Sequence, residues 1–218
     1  LAIEALVRRI DPSIWLHADA CHGFSLGFSS ELRHKISGIE KFDSISCDPH
    51  KVMLTPYTLS TLLVRNPHEM KKITSKSDLI MQEPFAFGQI TPFMGSRSWE
   101  SLKLWFMMKN YGKDGLDKLI TERHNLAIYL SDKLDKDKDF QVLTKIDINA
   151  VAFFYTRGIS DDVAKINQVN KTIHARLLEE GVYHLHQFSI PDRGIFKQDE
   201  IVYPLRFMCG NPNTTKDD

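Results

Sequence analysis

The sequence predicts an α/β fold in its first half and a smaller α+β unit in its second half. Three short apolar segments, at residues 14–20, 43–47 and 60–64, each end at a turn or loop signal, and helical segments alternate with such strands along the chain. That alternation is typical of a sheet covered by helices. Beyond residue 137 the order changes to strands on either side of one helix, which indicates a separate, smaller unit.

The N-terminal segment, residues 1–9 (LAIEALVRR), has the hydrophobic spacing of an amphipathic helix. Because Leu1 is not an initiator Met and the helix begins at once, we expect the chain to start within a longer protein. Further on, Ser29 offers a cap for a short helix that Gly38 can end.

The strand predicted at residues 43–47 ends before Pro49, because proline cannot donate a hydrogen bond to a sheet ladder. His50 and Lys51 are therefore expected on a loop that leaves the strand. The next strand, at residues 60–64, is leucine-rich without alternation, which predicts that both of its faces are buried.

Residues 75–96 show little periodicity and several prolines and glycines, and we interpret this segment as a candidate lid. Two helices are predicted after it, at residues 99–111 and 114–134, and Gly112 separates them. The α+β unit follows, with strands and one helix predicted at residues 140–143, 150–155, 161–180 (the helix), 182–189 and 202–208. The domain boundary is placed so that residues 1–115 form the larger domain and residues 116–218 the smaller one, with a polar C-terminal tail expected to fray.

Composition excludes several classes of function. The 28 basic residues balance the 28 acidic residues, so bulk charge favours neither nucleic acid nor a membrane surface as a partner. No apolar run reaches the roughly 18 residues of a membrane span. Three widely spaced cysteines match neither a disulfide framework nor a metal-binding spacing. These features predict a cytoplasmic protein that acts on a small molecule and holds no metal.

One constellation could carry chemistry: the motif at residues 17–20 (HADA) and Lys51, which follows Asp19 by 32 positions. A desolvated lysine beside cationic groups would be a nucleophile for the aldehyde of pyridoxal phosphate. A buried Asp19 at the end of a neighbouring strand could keep the ring nitrogen protonated. Ala20 leaves room for a flat ring, and His50 could donate to a phosphate or to a substrate carboxylate.

Spacing alone does not exclude an ordinary structural or surface role for these residues. Lys51 could be a solvated surface charge, since a lysine after a proline turn is most often one, and Asp19 could be a helix cap. His22 is a local alternative to His50 for a polar role near the cofactor, although an ordinary loop histidine is the more common interpretation.

Three ordered blocks resemble the group II pyridoxal phosphate-dependent decarboxylases. Residues 15–51 (WLHADACHGFSLGFSSELRHKISGIEKFDSISCDPHK) are similar to a pattern that reads W-x-H-V-D-A-A, then R-H, G-I-E-x-A-D-S and N-P-H-K. Residues 95–112 (GSRSWESLKLWFMMKNYG) resemble the family's G-R-R-x-x-x-L-K-x-W helix. Residues 205–215 (LRFMCGNPNTT) resemble its closing strand with N-P-x-T-T.

The resemblance implies the C-terminal part of the large domain of the type I, aspartate aminotransferase-like fold of pyridoxal phosphate-dependent transferases, followed by the small α+β domain. It implies that Lys51 carries pyridoxal 5'-phosphate as an internal imine and that Asp19 pairs with the ring nitrogen. Ala20 or its neighbour would be the small residue beneath the ring, and His50 the histidine that precedes the lysine. The implied reaction is decarboxylation of an L-amino acid.

Two further positions match basic residues of the family. Arg97 matches one at the start of the long helix, where a structural or subunit-contact role is expected. Arg206 matches the arginine of the closing strand, which could meet a substrate carboxylate or form a surface or interdomain ion pair.

The chain departs from the family pattern in two respects. The family uses a tyrosine of a mobile loop in reprotonation, but residues 75–96 hold no tyrosine, and their aromatic residues are Phe85, Phe87 and Phe93. The family's N-terminal half, with its phosphate-binding loop, is also missing from these 218 residues. A homodimer with its site at the subunit interface is implied. An aldehyde-forming oxidative decarboxylase, a lyase, an aminotransferase or a truncated binding module without catalysis remain alternatives.

Overall fold

The computed structural model describes residues 2–73, 98–143, 145–159, 162–196 and 200–217. The candidate lid at residues 75–96, with its three phenylalanines, and Arg97 lie outside the described residues. The chain divides into two compact units, residues 1–117 and residues 118–218.

The described helices and strands alternate in the first unit and segregate in the second. The helices are α1 (Ala2–Ile10), α2 (Pro49–Val52), α3 (Ser101–Asp135) and α4 (Val163–Glu180). The strands are β1 (His17–Asp19), β2 (Ser44–Cys47), β3 (Thr61–Val64), β4 (Phe140–Val142), β5 (Ala150–Tyr155), β6 (His186–Gln187), β7 (Ile190–Pro191), β8 (Ile201–Val202) and β9 (Leu205–Met208).

The described sheet of the first unit has three strands in the order β1-β2-β3. Strands β1 and β2 are parallel, with Asp19 opposite Ser46, whereas β2 and β3 are antiparallel. The carboxyl ends of parallel strands lie at the same edge of a sheet. The residues that follow β1 and β2 are thereby brought together.

Two local predictions for this unit were wrong. His50 and Lys51 lie in the short helix α2 rather than on a loop, because Pro49 occupies its first turn, where a missing N–H costs nothing. Strand β3 is not buried on both faces, since Leu62 is 52% and Leu63 is 42% exposed. Successive side chains of a strand point to opposite faces, so these two values show that each face of β3 is partly open in the described part of the chain.

The predicted pair of helices forms one element, α3, that is broken at Gly112. Gly112 has φ 62° and ψ −174°, a conformation that favours glycine. Ahead of this break Met107 packs with Met53 in the core of the first unit. Among the described residues, no helix combines the length and apolar character that crossing a bilayer would require.

The second unit contains a four-stranded antiparallel sheet in the order β4-β5-β9-β6. Successive side chains of β5 point to opposite faces, as expected for a strand. Val151 and Phe153 join a cluster with Leu126 of α3, whereas Phe154 joins a cluster with Ile166 of α4. Both faces of this sheet are therefore covered by apolar side chains.

Helix α4 has the boundaries that its sequence signals indicate. The side chain of Asp162 accepts a hydrogen bond from the Lys165 N–H at 3.1 Å and caps its N-terminus. Gly181 ends it with φ 67°, in the left-handed region. Of the strand predicted at residues 182–189, only β6 forms, and β7 begins after it and pairs separately with β8.

The C-terminal tail was predicted to fray, but hydrogen bonds hold it in place as far as residue 214. Arg123, which is 8% exposed, donates to the carbonyl oxygens of Asn211 (2.6 Å) and Thr214 (2.9 Å). A buried guanidinium offers several donors at once and so fixes a polar segment that has little apolar surface of its own.

Replacing Phe154 with alanine is expected to destabilise the protein by about 3–5 kcal/mol, because this fully buried side chain would leave a cavity. Chemical denaturation, followed by circular dichroism, measures the change. Tyr183→Ala in the same unit is the control: Tyr183 is 60% exposed, so its loss should cost less than about 0.5 kcal/mol. Equal effects of the two substitutions would contradict the assignment of Phe154 to the core.

Candidate active site

Two residues predicted to carry the chemistry lie at the same edge of the first sheet. Asp19 ends β1, and Lys51 lies in α2, which follows β2 after Asp48 alone. Hydrogen bonds from Cys21 are the main cause of the lowered pKa of Asp19, and the charge of Lys51 adds a weaker contribution from longer range. The structure thus brings together an amine and a carboxylate that are 32 positions apart in sequence.

The carboxylate of Asp19 is held through one of its two oxygens. Oδ1 accepts hydrogen bonds from the Cys21 N–H (3.2 Å), from the Cys21 thiol (2.5 Å) and from the Ser46 hydroxyl (3.3 Å). No hydrogen bond to Oδ2 is found among the described residues. The side chain is oriented, and one of its oxygens remains open to a ligand.

The environment of Asp19 favours its charged form. The Cys21 thiol, then the Cys21 backbone N–H, and more weakly Ser46 and Lys51 lower its pKa. The prediction that Asp19 is buried is wrong, because the side chain is exposed. Asp19 is the last residue of the three-residue strand β1, where the chain leaves the sheet for a turn.

The amine of Lys51 forms an ion pair with Asp48. The Nζ and Oδ2 atoms are 2.7 Å apart, and the side chains of Lys51 and Asp48 are 30% and 12% exposed. Lys51, and then the hydroxyl of Ser60, lower the pKa of Asp48 to about 2. The pair is therefore charged at neutral pH.

This ion pair changes the expected reactivity of the amine. We expected neighbouring cations to lower the pKa of Lys51, but Asp48, its main partner, raises it. A carboxylate stabilises the ammonium form by the same interaction through which a cation would destabilise it. Sequence inspection missed Asp48, although its position three residues before the lysine is the signal that could have revealed it.

Cys21 is a second residue that the sequence prediction overlooked. Its thiol contacts Asp19 and also interacts with the side chains of Asp48 and Lys51. The carboxylate of Asp19, followed by burial, raises the pKa of this thiol. Cys21 therefore remains a protonated donor between the two acidic side chains rather than a reactive thiolate.

His50 is oriented by the segment that follows α2. Its Nδ1 lies 2.6 Å from the Leu59 carbonyl oxygen, and its ring lies 4.4 Å from the ring of Tyr57, centroid to centroid. The Leu59 N–H also lies 3.2 Å from Nδ1, so both contacts to the segment after α2 engage this nitrogen and leave Nε2 for another partner. The Ala20 N–H donates to the Ser46 carbonyl oxygen at 2.9 Å, which fixes the backbone just beyond Asp19.

Three other candidates from the sequence are His22, Arg97 and Arg206. The His22 carbonyl oxygen accepts from the Ser25 hydroxyl at 2.9 Å at the start of a short 3₁₀ segment. Arg206 belongs to the second unit, on β9 opposite His186, with its guanidinium 5.6 Å from the ring of Phe188. Its Nε is buried without a hydrogen-bond partner among the described residues. The functional roles of His22, Arg97 and Arg206 stay predictions.

Residues 2–156 match the model of the pyridoxal-dependent decarboxylase conserved domain. The chain is 26% identical over 215 residues to an aromatic-L-amino-acid decarboxylase of Bacillus atrophaeus, covering 95% of this chain and 43% of that protein. It is 28% identical over 183 residues to the human cysteine sulfinic acid decarboxylase, covering 77% of this chain and 37% of that protein. The chain thus spans less than half the length of these relatives.

Solved structures share the fold. Mouse CSAD in its apo form has a TM-score of 0.84 and 24% identity, over 99% of this chain and 45% of that one. Oryza sativa TDC with PLP and tryptamine has a TM-score of 0.79 and 24% identity, over 96% of this chain and 42% of that one. The predicted α/β, type I transferase fold is confirmed for the part of it that this chain spans.

Proposed function

The chain belongs to the pyridoxal-dependent decarboxylase family, and from this premise we propose that it is part of an enzyme that removes the carboxyl group of an L-amino acid. The products would be the amine and carbon dioxide, and the cofactor would be pyridoxal 5'-phosphate. The observation that carries the proposal is the position of Asp19 at the end of β1 and of Lys51 just after β2, at one edge of a parallel strand pair.

The described residues fit such a cofactor in their chemistry and in their charge. Lys51 supplies an amine, and Asp19 supplies a carboxylate oxygen, Oδ2, that accepts no hydrogen bond from the described residues. Asp19 and Asp48 together carry two negative charges near the single positive charge of Lys51. A protonated ring nitrogen would balance the remaining negative charge.

When bound, pyridoxal phosphate supplies an electron sink for the pair of electrons released as the carboxyl group leaves. The amine of Lys51 would hold it covalently, and Asp19 Oδ2 would accept the hydrogen bond of its ring nitrogen. His50, with Nδ1 bound to Leu59, would present Nε2 to the phosphate or to the substrate carboxylate. Ala20 would pack against the ring, with too small a side chain to obstruct it.

Product analysis tests the proposed reaction. The full-length protein, supplied with pyridoxal phosphate and a panel of acidic, aromatic and small polar L-amino acids, is expected to release carbon dioxide and the matching amine from at least one of them. Coupled detection of carbon dioxide and chromatography of the amine measure the two products in equal amounts. A protein that binds the cofactor but releases neither product from any amino acid would contradict the proposal.

One sequence observation favours a second outcome of the same chemistry. Residues 75–96 contain no tyrosine, the residue type that the family resemblance assigns to reprotonation. An aldehyde-forming oxidative decarboxylase would consume dioxygen and water and release carbon dioxide, an aldehyde, ammonia and hydrogen peroxide. The same assay, with an oxygen electrode added, separates the two reactions.

We also propose that the enzyme is a cytoplasmic homodimer. Trp105 and Phe106 of α3 are 51% and 58% exposed in the described chain, and large apolar side chains of this kind are common in subunit contacts. All three cysteines are free, which suits a reducing compartment. Sedimentation of the full-length protein gives the oligomeric state, and a monomer at micromolar concentration would exclude the dimer.

A further inference from the structure

We propose that Asp48 is the counter-ion of the Lys51 nitrogen and keeps this nitrogen protonated, both in the free amine and when pyridoxal phosphate is bonded to it. The part of the inference that concerns the bound cofactor rests on the proposed function. The part that concerns the free amine rests on the geometry of this chain alone.

The contact between Asp48 and Lys51 is direct and partly shielded from water. Asp48 Oδ2 lies 2.7 Å from Lys51 Nζ, and the Asp48 side chain is only 12% exposed. By contrast, the pair Asp162–Lys165 has the same spacing in sequence but a longer separation of 3.1 Å and side chains that are 40% and 70% exposed. Solvent screens a pair of the second kind much more strongly.

The carboxylate of Asp48 is not used for the role that its position suggests. Asp48 is the residue before the first turn of α2, where an aspartate commonly accepts a hydrogen bond from the helix backbone. Its side chain makes no such cap, and its partners include Lys51 and the hydroxyl of Ser60 instead. The structure therefore directs this charge toward the amine and not toward the helix.

The titratable groups that face Lys51 come from both parallel strand ends. Asp48 follows β2, Asp19 is the last residue of β1, and Cys21 comes two positions after Asp19. Cys21 is a protonated thiol, and Asp19 acts on Lys51 only at longer range, with Oδ1 engaged by Cys21 and Ser46. Among the described residues, Asp48 is the one carboxylate in an ion pair with this amine.

A negative counter-ion stabilises the protonated form of the Lys51 nitrogen whether this nitrogen is a free amine or is bonded to the cofactor. The interaction that raises the pKa of the Lys51 amine also favours the protonated form of the same nitrogen when it is bonded to a carbon of the cofactor. Asp48 would thereby keep the Lys51 nitrogen protonated up to a higher pH when pyridoxal phosphate is bonded to it. The yellow absorbance of the bound cofactor would persist over the same pH range.

The test is a pair of pH titrations of full-length wild type and Asp48→Asn, a substitution that keeps the shape of the side chain and removes its charge. In the cofactor-free protein, lysines labelled by ¹³C-methylation are followed by NMR, with Lys51→Arg to assign the Lys51 signal. In the protein loaded with pyridoxal phosphate, the yellow band is followed against pH. Both midpoints are expected to fall in Asp48→Asn by roughly 1–3 pH units, the size of effect expected on losing a close opposite charge.

Two further variants make the result specific. Asp48→Glu should restore part of the shift, and Asp162→Asn, which removes the charge of the exposed pair, should leave both midpoints of Lys51 unchanged. If wild type binds the cofactor through Lys51 but Asp48→Asn leaves both midpoints in place, the counter-ion is excluded while the proposed function stands. If wild type shows no band, the proposed function and the cofactor part of this inference both fail, whereas an unshifted NMR midpoint excludes the role toward the free amine.

Discussion

Replacing Lys51 with alanine in the full-length protein is expected to abolish the yellow absorbance of covalently bound pyridoxal phosphate and to lower decarboxylation at least about 1,000-fold. The physical reason is that the described cluster contains a single amine, and neither Asp19 nor Asp48 can form a covalent bond of that kind. An absorbance scan before and after borohydride, followed by peptide mass mapping, identifies the residue that carries the cofactor.

Two lysine variants separate covalent attachment from charge. Lys51→Arg keeps a positive charge beside Asp48 and should still lose the band. Lys165→Ala removes the lysine of another Asp–Lys pair with the same spacing and should retain both the band and the activity. If the Lys51→Ala protein stays yellow after washing and is reduced by borohydride at another lysine, Lys51 is not the residue that carries the cofactor.

Replacing Asp19 with asparagine is expected to lower activity by about 100- to 1,000-fold, the loss that follows removal of one positioned electrostatic partner. An amide cannot stabilise a protonated ring nitrogen as a carboxylate does, so the affinity for pyridoxal phosphate should fall as well. Kinetics and a binding titration of the cofactor measure the two effects separately.

Asp11→Asn is a close control for this substitution. Asp11 Oδ1 accepts from the Ser13 N–H (2.7 Å) and from the Ser13 hydroxyl (2.6 Å), the same local turn that Asp19 makes with Cys21. As with Asp19, hydrogen bonds from the residue two positions later lower the pKa of Asp11. Asp11 lies in the connection between α1 and β1 and is not among the groups that shift the pKa of Lys51. Its variant should therefore retain activity and cofactor affinity, and equal losses in both variants would indicate a structural effect of the turn.

Much of the local structure could be predicted from the sequence because it depends on nearest neighbours along the chain. The amphipathic pattern identified α1, and Gly112 and Gly181 marked a helix break and a helix end. Strand β5 coincides with the predicted residues 150–155, since its apolar run is bounded by polar segments. The extent of β3 burial and the reduction of the strand predicted at 182–189 to the two residues of β6 were not predictable, because both depend on tertiary contacts.

For the candidate site, the sequence and its family resemblance identified Lys51, Asp19, Ala20 and His50 as the candidates for cofactor chemistry. The parallel pairing of β1 with β2 decided that Asp19 and Lys51 lie at the same edge of the sheet. The fold also decided that Asp48 pairs with Lys51 and that Cys21 interacts with Asp19, Asp48 and Lys51. The sequence shows which residue types are present for the chemistry. The protonation state of an amine, however, depends on charges within a few ångströms of it. Those neighbours come from separate segments, so only the folded chain determines that Lys51 is held as a cation and that Asp19 keeps one oxygen open.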